Sequence, residues 1–129
     1  RDIPLSILFG TLSTLVSLYL ASLALNWAVG VFGFSGPADP AALPALMLIL
    51  SLYGLLTKPL GNAFSRWREK LADIYALRTT GMPEAMASAM TRLANQNLSE
   101  VDPEKWVVFL FYSHPPLEER IAMGRNWVK

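Results

Sequence analysis

Apolar positions run almost unbroken from Leu5 to Val29, interrupted only by Ser, Thr, Gly and one Asn. A helix needs about 20 apolar residues to cross a bilayer, and this run exceeds that. It is also longer than the roughly 7–15 apolar residues of a secretory leader, and only Arg1 stands where a leader carries a basic segment. The sequence GFSGPADPAALP follows (residues 33–44). Pro37, Pro40 and Pro44 each lack a backbone donor and hold φ fixed, which predicts a turn. A second apolar run, Ala41–Thr57, is close to the minimum of about 17 residues for a span. Pro44 suits its first turn, and Lys58 and Pro59 are expected to close it. Residues 1–60 therefore read as a transmembrane hairpin with spans at about 5–29 and 41–57.

Beyond Lys58 the period changes. Phe64, Trp67, Leu71, Ile74, Tyr75 and Leu77 fit one broad apolar face of a helix that begins near Asn62 or Ser65. Gly81 is suited to the left-handed stop that ends it after Thr79-Thr80. Pro83 opens a second helix that reaches about Gln96, with Met86, Met90 and Leu93 on one face and the methionines as core filler rather than a binding surface. The run VVFLFY within Trp106–Tyr112 suits a buried strand as well as a helix. Asp102-Pro103-Glu104, an N-cap followed by a first-turn proline, decides for a short helix. His114-Pro115-Pro116 breaks the chain. Leu117–Trp127 reads as a last helix, with Glu118 and Glu119 at its positive end. The predicted fold is all-α: the hairpin, then a small region of about four helices over residues 61–129.

Charge sharpens this division. From Ile3 to Thr57 the only charged residue is Asp39, whereas Lys58–Lys129 holds 10 Lys/Arg and 8 Asp/Glu. The loop between the spans has no Lys or Arg, but Lys58, Arg66, Arg68 and Lys70 crowd the far end of the second span. The positive-inside bias then puts both ends of the hairpin and the helical region in the cytoplasm. Within the first span, Ser6, Gly10, Ser13, Ser17, Ala21, Ala24 and Ala28 recur at spacings of four and three. Such a stripe either lets another helix or a cavity wall approach closely, or reflects the high frequency of small residues in membrane helices. Neither span holds Lys, Arg, Asp, Glu or His, which weighs against a channel or transporter subunit. A net charge of +1 gives nucleic-acid binding little support, and the absence of cysteine excludes disulfides, thiolate metal sites and cysteine nucleophiles.

Two stretches carry candidate chemistry: Ser65–Leu77 (SRWREKLADIYAL) and Phe111–Ile121 (FYSHPPLEERI). Glu69 and Asp73, four apart, share one helix face. They form either a solvated face answered by Arg66 or part of a site. Asp73 lies between Ala72 and Ile74, where an unbonded carboxylate is costly. His114 is the only histidine, held by two prolines that restrict the chain. Taken alone, it also reads as a structural or surface residue.

Together these stretches resemble the C-terminal signature of the type 1 CAAX prenyl protease family of membrane zinc metallopeptidases, which includes bacterial relatives of the HtpX type. In that family a helix of the S-R-x-x-E-x-x-A-D kind supplies a zinc ligand, and an N-L stretch and then Y-S-H-P-P-x-x-x-R-I follow it. Here the matching residues are Asn62, Ser65, Arg66, Glu69, Ala72, Asp73, Asn97-Leu98, Tyr112–Pro116, Arg120 and Ile121. The resemblance implies Glu69 as zinc ligand and Asp73 as a hydrogen-bond acceptor that orients a ligand histidine. It implies His114 as a stabiliser of the developing oxyanion and Arg120 as an orienting group paired with a carboxylate such as Asp73.

The family's H-E-x-x-H helix, with its glutamate as general base, has no counterpart here, because the chain has one histidine. The expectation is a C-terminal part of a longer protease, inactive alone, whose partners are an upstream H-E-x-x-H segment, the lipid bilayer and a peptide or protein substrate. The alternative is a non-catalytic membrane scaffold or regulatory module that keeps the protease layout.

Overall fold

The computed structural model describes residues 2–97 and 103–127. It is all-α, with no strand among the described residues. Five helices follow in order: α1 (Asp2–Phe32), α2 (Leu43–Thr80), α3 (Pro83–Asn97), α4 (Lys105–Phe111) and α5 (Leu117–Arg125). The chain divides into two compact units, Arg1–Thr57 and Lys58–Lys129, and α2 supplies residues to both.

In the first unit, α1 ends where Gly33 adopts φ +73° and its N–H donates to the Val29 carbonyl at 3.1 Å. A single 3-10 turn, Pro40–Ala42, then leads into α2. Asp39 organises this turn. Its carboxylate accepts from the Ala41 N–H (2.9 Å), the Ser35 N–H (2.9 Å) and the Ser35 hydroxyl (2.8 Å). These bonds favour the charged form, so the Asp39 carboxyl is held below its ordinary range, with the Ser35 backbone bond the largest cause.

The small-residue stripe is the covered face of α1. Ala21 and Ala28 are buried, Ser6, Ser13, Ser17 and Ala24 are half-buried, and Gly10 is exposed. The Tyr53 hydroxyl of α2 reaches the Ser13 carbonyl at 3.3 Å. Small side chains here let the two helices of the hairpin approach each other. Bulky residues such as Leu12, Leu15, Leu23 and Trp27 point outward. Both long helices are apolar and long enough to cross a bilayer. A helix suits that solvent because it satisfies its own backbone polar groups.

Lys58 and Pro59 do not end the second helix, contrary to expectation: α2 continues through Pro59 to Thr80. An interior proline removes one hydrogen bond at a cost of about 3 kcal/mol. Membrane helices commonly accept a proline because neighbouring groups answer the freed carbonyl.

In the second unit α2 ends as its sequence predicts. Gly81 takes φ +63° and its N–H donates to the Leu77 carbonyl at 2.9 Å. Leu77 is the most deeply buried large side chain. α3 packs on α5 through small residues, with buried Ala87 facing buried Gly124. A Cβ built on Gly124 would lie 2.8 Å from the Pro83 carbonyl oxygen and 3.1 Å from the Ala87 Cβ. The short-helix reading of Trp106–Tyr112 corresponds to α4. Its N-cap is Glu104, which makes no side-chain capping bond. Asp102, the expected cap, lies outside the described residues, as does Leu98. α5 stops at Arg125, two residues short of the predicted end, with Asn126 as its C-cap.

The apolar face expected of α2 is turned outward in this unit. Of the six residues predicted on it, only Leu77 is buried; Trp67, Leu71 and Tyr75 are exposed. The buried positions are instead Asn62, Asp73 and Leu77. The reason lies in the hydrogen bonds of the inward polar residues.

Candidate active site

Asn62, Arg66, Glu69 and Asp73 follow one another at spacings of four, three and four, so they line one face of α2. Each finds its partner in the segment from Val108 to Arg120. The Asn62 amide donates to the Leu110 carbonyl at 2.8 Å. The Arg66 guanidinium donates through Nη1 to the carbonyls of Val108 (2.9 Å) and Tyr112. Glu69 Oε1 meets His114 Nδ1. Asp73 holds Arg120 in a bidentate pair: Nε donates to Oδ2 and Nη2 to Oδ1, both at 2.7 Å. Arg120 Nη1 also lies 3.6 Å from Glu69 Oε2. Asn62 and Arg66 meet carbonyls within 108–112, and Glu69 and Asp73 meet side chains farther along, at His114 and Arg120.

Burial grades these pairs. The Asp73 and Arg120 side chains are 11% and 16% exposed, so water screens their pairing weakly. The Arg120 guanidinium is held above its ordinary range, chiefly by the Asp73 hydrogen bonds, against an opposing effect of burial. Glu69 is 29% exposed and His114 71%, so this part of the site opens to solvent. Both border a cleft of about 690 Å³. Arg120 joins them on its polar side, and Leu93, Phe111 and Leu117 contribute apolar wall.

The structure thus brings together all four residues singled out in the sequence: Glu69, Asp73, His114 and Arg120. It does not support Arg66 as the cation answering the two carboxylates. That group is Arg120, and Arg66 is engaged by backbone carbonyls. Asp73, buried and doubly bonded, is no part of a solvated face. From the sequence Asn62 received no separate role and Arg66 a different one, so their bonds to backbone carbonyls were not foreseen. The signal for them was the four-three-four spacing of polar residues opposite an apolar stripe. Gly124 gave no signal, because a close approach between helices leaves no mark in a single sequence.

The donor set fits one corner of a zinc site. Structural and catalytic zinc is held by three or four protein donors. Among the described residues no three His, Cys, Asp or Glu side chains converge. Glu69 is the carboxylate that opens to the cleft. A carboxylate has about four acceptor positions, so the His114 contact does not exhaust it.

The chain is similar to several known proteases. A Bacillus subtilis (strain 168) protein described as the uncharacterized metalloprotease YhfN is 40% identical over 91 residues, covering 70% of this chain and 21% of that protein. A protease HtpX homolog of Streptococcus gordonii is 30% identical over 146 residues, covering 97% of this chain and 49% of its own length. One from Desulfatibacillum aliphaticivorans is 34% identical over 143 residues, covering 95% and 44%. The chain therefore spans half or less of the length of these relatives. No solved structure matches it. The likeness to the protease HtpX homologs covers nearly the whole chain, and the model of peptidase family M48 matches residues 1–128: the chain belongs to that family.

Proposed function

We propose that the chain is the C-terminal part of a membrane zinc metalloendopeptidase built on the plan shared by type 1 CAAX prenyl proteases and HtpX. The observation that supports this best is the face of α2 that presents Glu69 to an open cleft beside His114 and Arg120. Glu69 offers one carboxylate ligand for zinc; two histidines of an H-E-x-x-H helix upstream supply the others. Bound zinc supplies an activated water and a Lewis acid for the scissile carbonyl.

The remaining residues of this chain bind and orient. His114 holds Glu69 through Nδ1 and turns Nε2 away from it. With both nitrogens protonated, Nε2 is a donor for the oxygen that gains charge when a peptide carbonyl is attacked. Asp73 fixes Arg120, and each of its oxygens keeps a further acceptor position for the N–H of a ligand histidine. Arg120 keeps positive charge beside Glu69. The protein spans the bilayer at least twice, with its basic flanks and the helical unit in the cytoplasm. Its substrate is a peptide or protein.

Elemental analysis tests the reading directly. The chain alone should purify with far less than one zinc per molecule, and the chain joined to its native upstream segment with about one, because a stable site needs three or four donors. Stoichiometric, chelator-resistant zinc in the chain alone would refute the division of ligands. A native upstream sequence without H-E-x-x-H would favour the non-catalytic scaffold instead.

A further inference from the structure

Asn62 and Arg66 lie outside the cleft, yet both make long-range hydrogen bonds from the face that carries Glu69 and Asp73. Their targets are the carbonyls of Val108, Leu110 and Tyr112, at the C-terminal end of α4. A helix leaves its last carbonyls without intrahelical donors, and that end carries negative partial charge. At seven residues, α4 is also too short to hold its shape by internal bonds alone. A buried amide and a guanidinium answer both needs. Asn62 takes the Leu110 carbonyl, and Arg66 bridges Val108 and Tyr112. The Val108 carbonyl also accepts the Tyr112 N–H at 3.2 Å, so Arg66 reinforces the bond that closes the helix.

The consequence falls two residues later. Only Ser113 separates Tyr112 from His114, and buried Pro115 and Pro116 follow. The prolines restrict the chain on one side of His114. We propose that Asn62 and Arg66 form a clamp on the end of α4 that restricts it on the other side, which makes them positioning residues for the His114 imidazole. His114 is exposed and has little packing to locate it. Its place beside Glu69 follows from two backbone anchors, one at Tyr112 and one at the prolines. The same rigid helix carries both the clamp and Glu69, so it sets the spacing between the carboxylate and the imidazole. The clamp itself rests on geometry; its catalytic meaning rests on the protease reading above.

The test uses the whole chain in detergent micelles, with 15N-labelled histidine and tyrosine, at one fixed pH. Glu69→Gln first defines the His114 signal of an imidazole without its carboxylate. Arg66→Met should move the His114 nitrogen signals toward that reference. It should also speed Tyr112 amide exchange by about tenfold, the factor for losing one charge-assisted hydrogen bond. Asn62→Ala should do the same to a smaller extent, and Arg66→Lys, which keeps the charge and a donor, should restore part of the wild-type signal. If Arg66→Met loses its far-UV helical signal, Asn62→Ala decides alone. Wild-type His114 signals and Tyr112 exchange in a folded variant overturn the proposal.

In the parent enzyme, Arg66→Met should lower kcat with zinc content and KM unchanged; a kcat that does not fall, or loss of zinc, overturns the catalytic part. A wild-type parent that fails to hydrolyse peptides defeats the protease reading instead, and leaves the comparison of His114 signals standing.

Discussion

Removing either partner of the Asp73–Arg120 pair should destabilise the helical unit far more than removing both. Two 2.7 Å hydrogen bonds join these side chains, and they are only 11% and 16% exposed. Deleting one member of a buried pair leaves an uncompensated charge and typically costs about 3–5 kcal/mol. Glu69, 3.6 Å from Arg120 Nη1, gives a stranded guanidinium some compensation, so Asp73→Leu should fall near the low end, at about 3 kcal/mol. Arg120→Met strands the Asp73 carboxylate and should cost a similar amount.

The double variant replaces the pair by apolar groups and should be much more stable than either single variant, because such exchanges are often near neutral. At about 4–8 °C per kcal/mol for a domain of this size, each single variant lowers the melting midpoint by roughly 12–24 °C. Far-UV circular dichroism in detergent measures it. Arg120 is held above the ordinary arginine range, and a raised group stabilises at every pH below its unfolded value. The loss should therefore be the same at any pH where the carboxylates are ionised. Single variants within about 0.5 kcal/mol of wild type, the range of surface changes, would refute the reasoning. So would a double variant as damaged as the sum of the two.

Further predictions follow from the packing of α3 on α5 and from the turn at Asp39. Gly124→Ala places a Cβ 2.8 Å from the rigid Pro83 carbonyl. Overpacking costs about 1–3 kcal/mol against a gain of about 1 kcal/mol in helix propensity, so a melting experiment should show net destabilisation of about 1 kcal/mol. A more stable variant would mean that the two helices do not meet as described. Asp39→Ala should speed amide exchange at Ser35, whose N–H donates to the carboxylate. Because the Asp39 carboxyl is held below its ordinary value of 3.8, the wild-type turn should be intact above that value. It should loosen as pH falls through the lower folded value, and protection that survives strong acid contradicts the assignment.

Much of the fold was legible because its signals are local. The two apolar runs, the Gly/Pro-rich turn, Gly81 as a stop and Pro83 as a start all report on neighbours within one helical turn. The candidate site was legible in part, through Glu69, Asp73, His114 and Arg120 at recognisable spacing. The roles of Asn62 and Arg66 were not, because their partners lie 42–48 residues away and are backbone carbonyls, which carry no side-chain signature.

The sequence by itself determined which segments are helical, the stop at Gly81 and the start at Pro83, and that a strongly apolar region precedes a charged one; it did not foresee that α2 runs on through Lys58 and Pro59. Helical period and backbone stereochemistry depend on adjacent residues, so they need no knowledge of the fold. Only the tertiary structure decided which side of α2 faces inward in the helical unit. An apolar stripe of Trp67, Leu71 and Tyr75 lies opposite a polar one, and periodicity cannot tell which is covered. The polar face went inside because each of its groups meets a partner there: Asn62 and Arg66 the end of α4, Glu69 the imidazole of His114, Asp73 the guanidinium of Arg120. Burying polar groups is costly when they are unpaired and tolerable when every one is bonded. That condition is met only when distant parts of the chain come together.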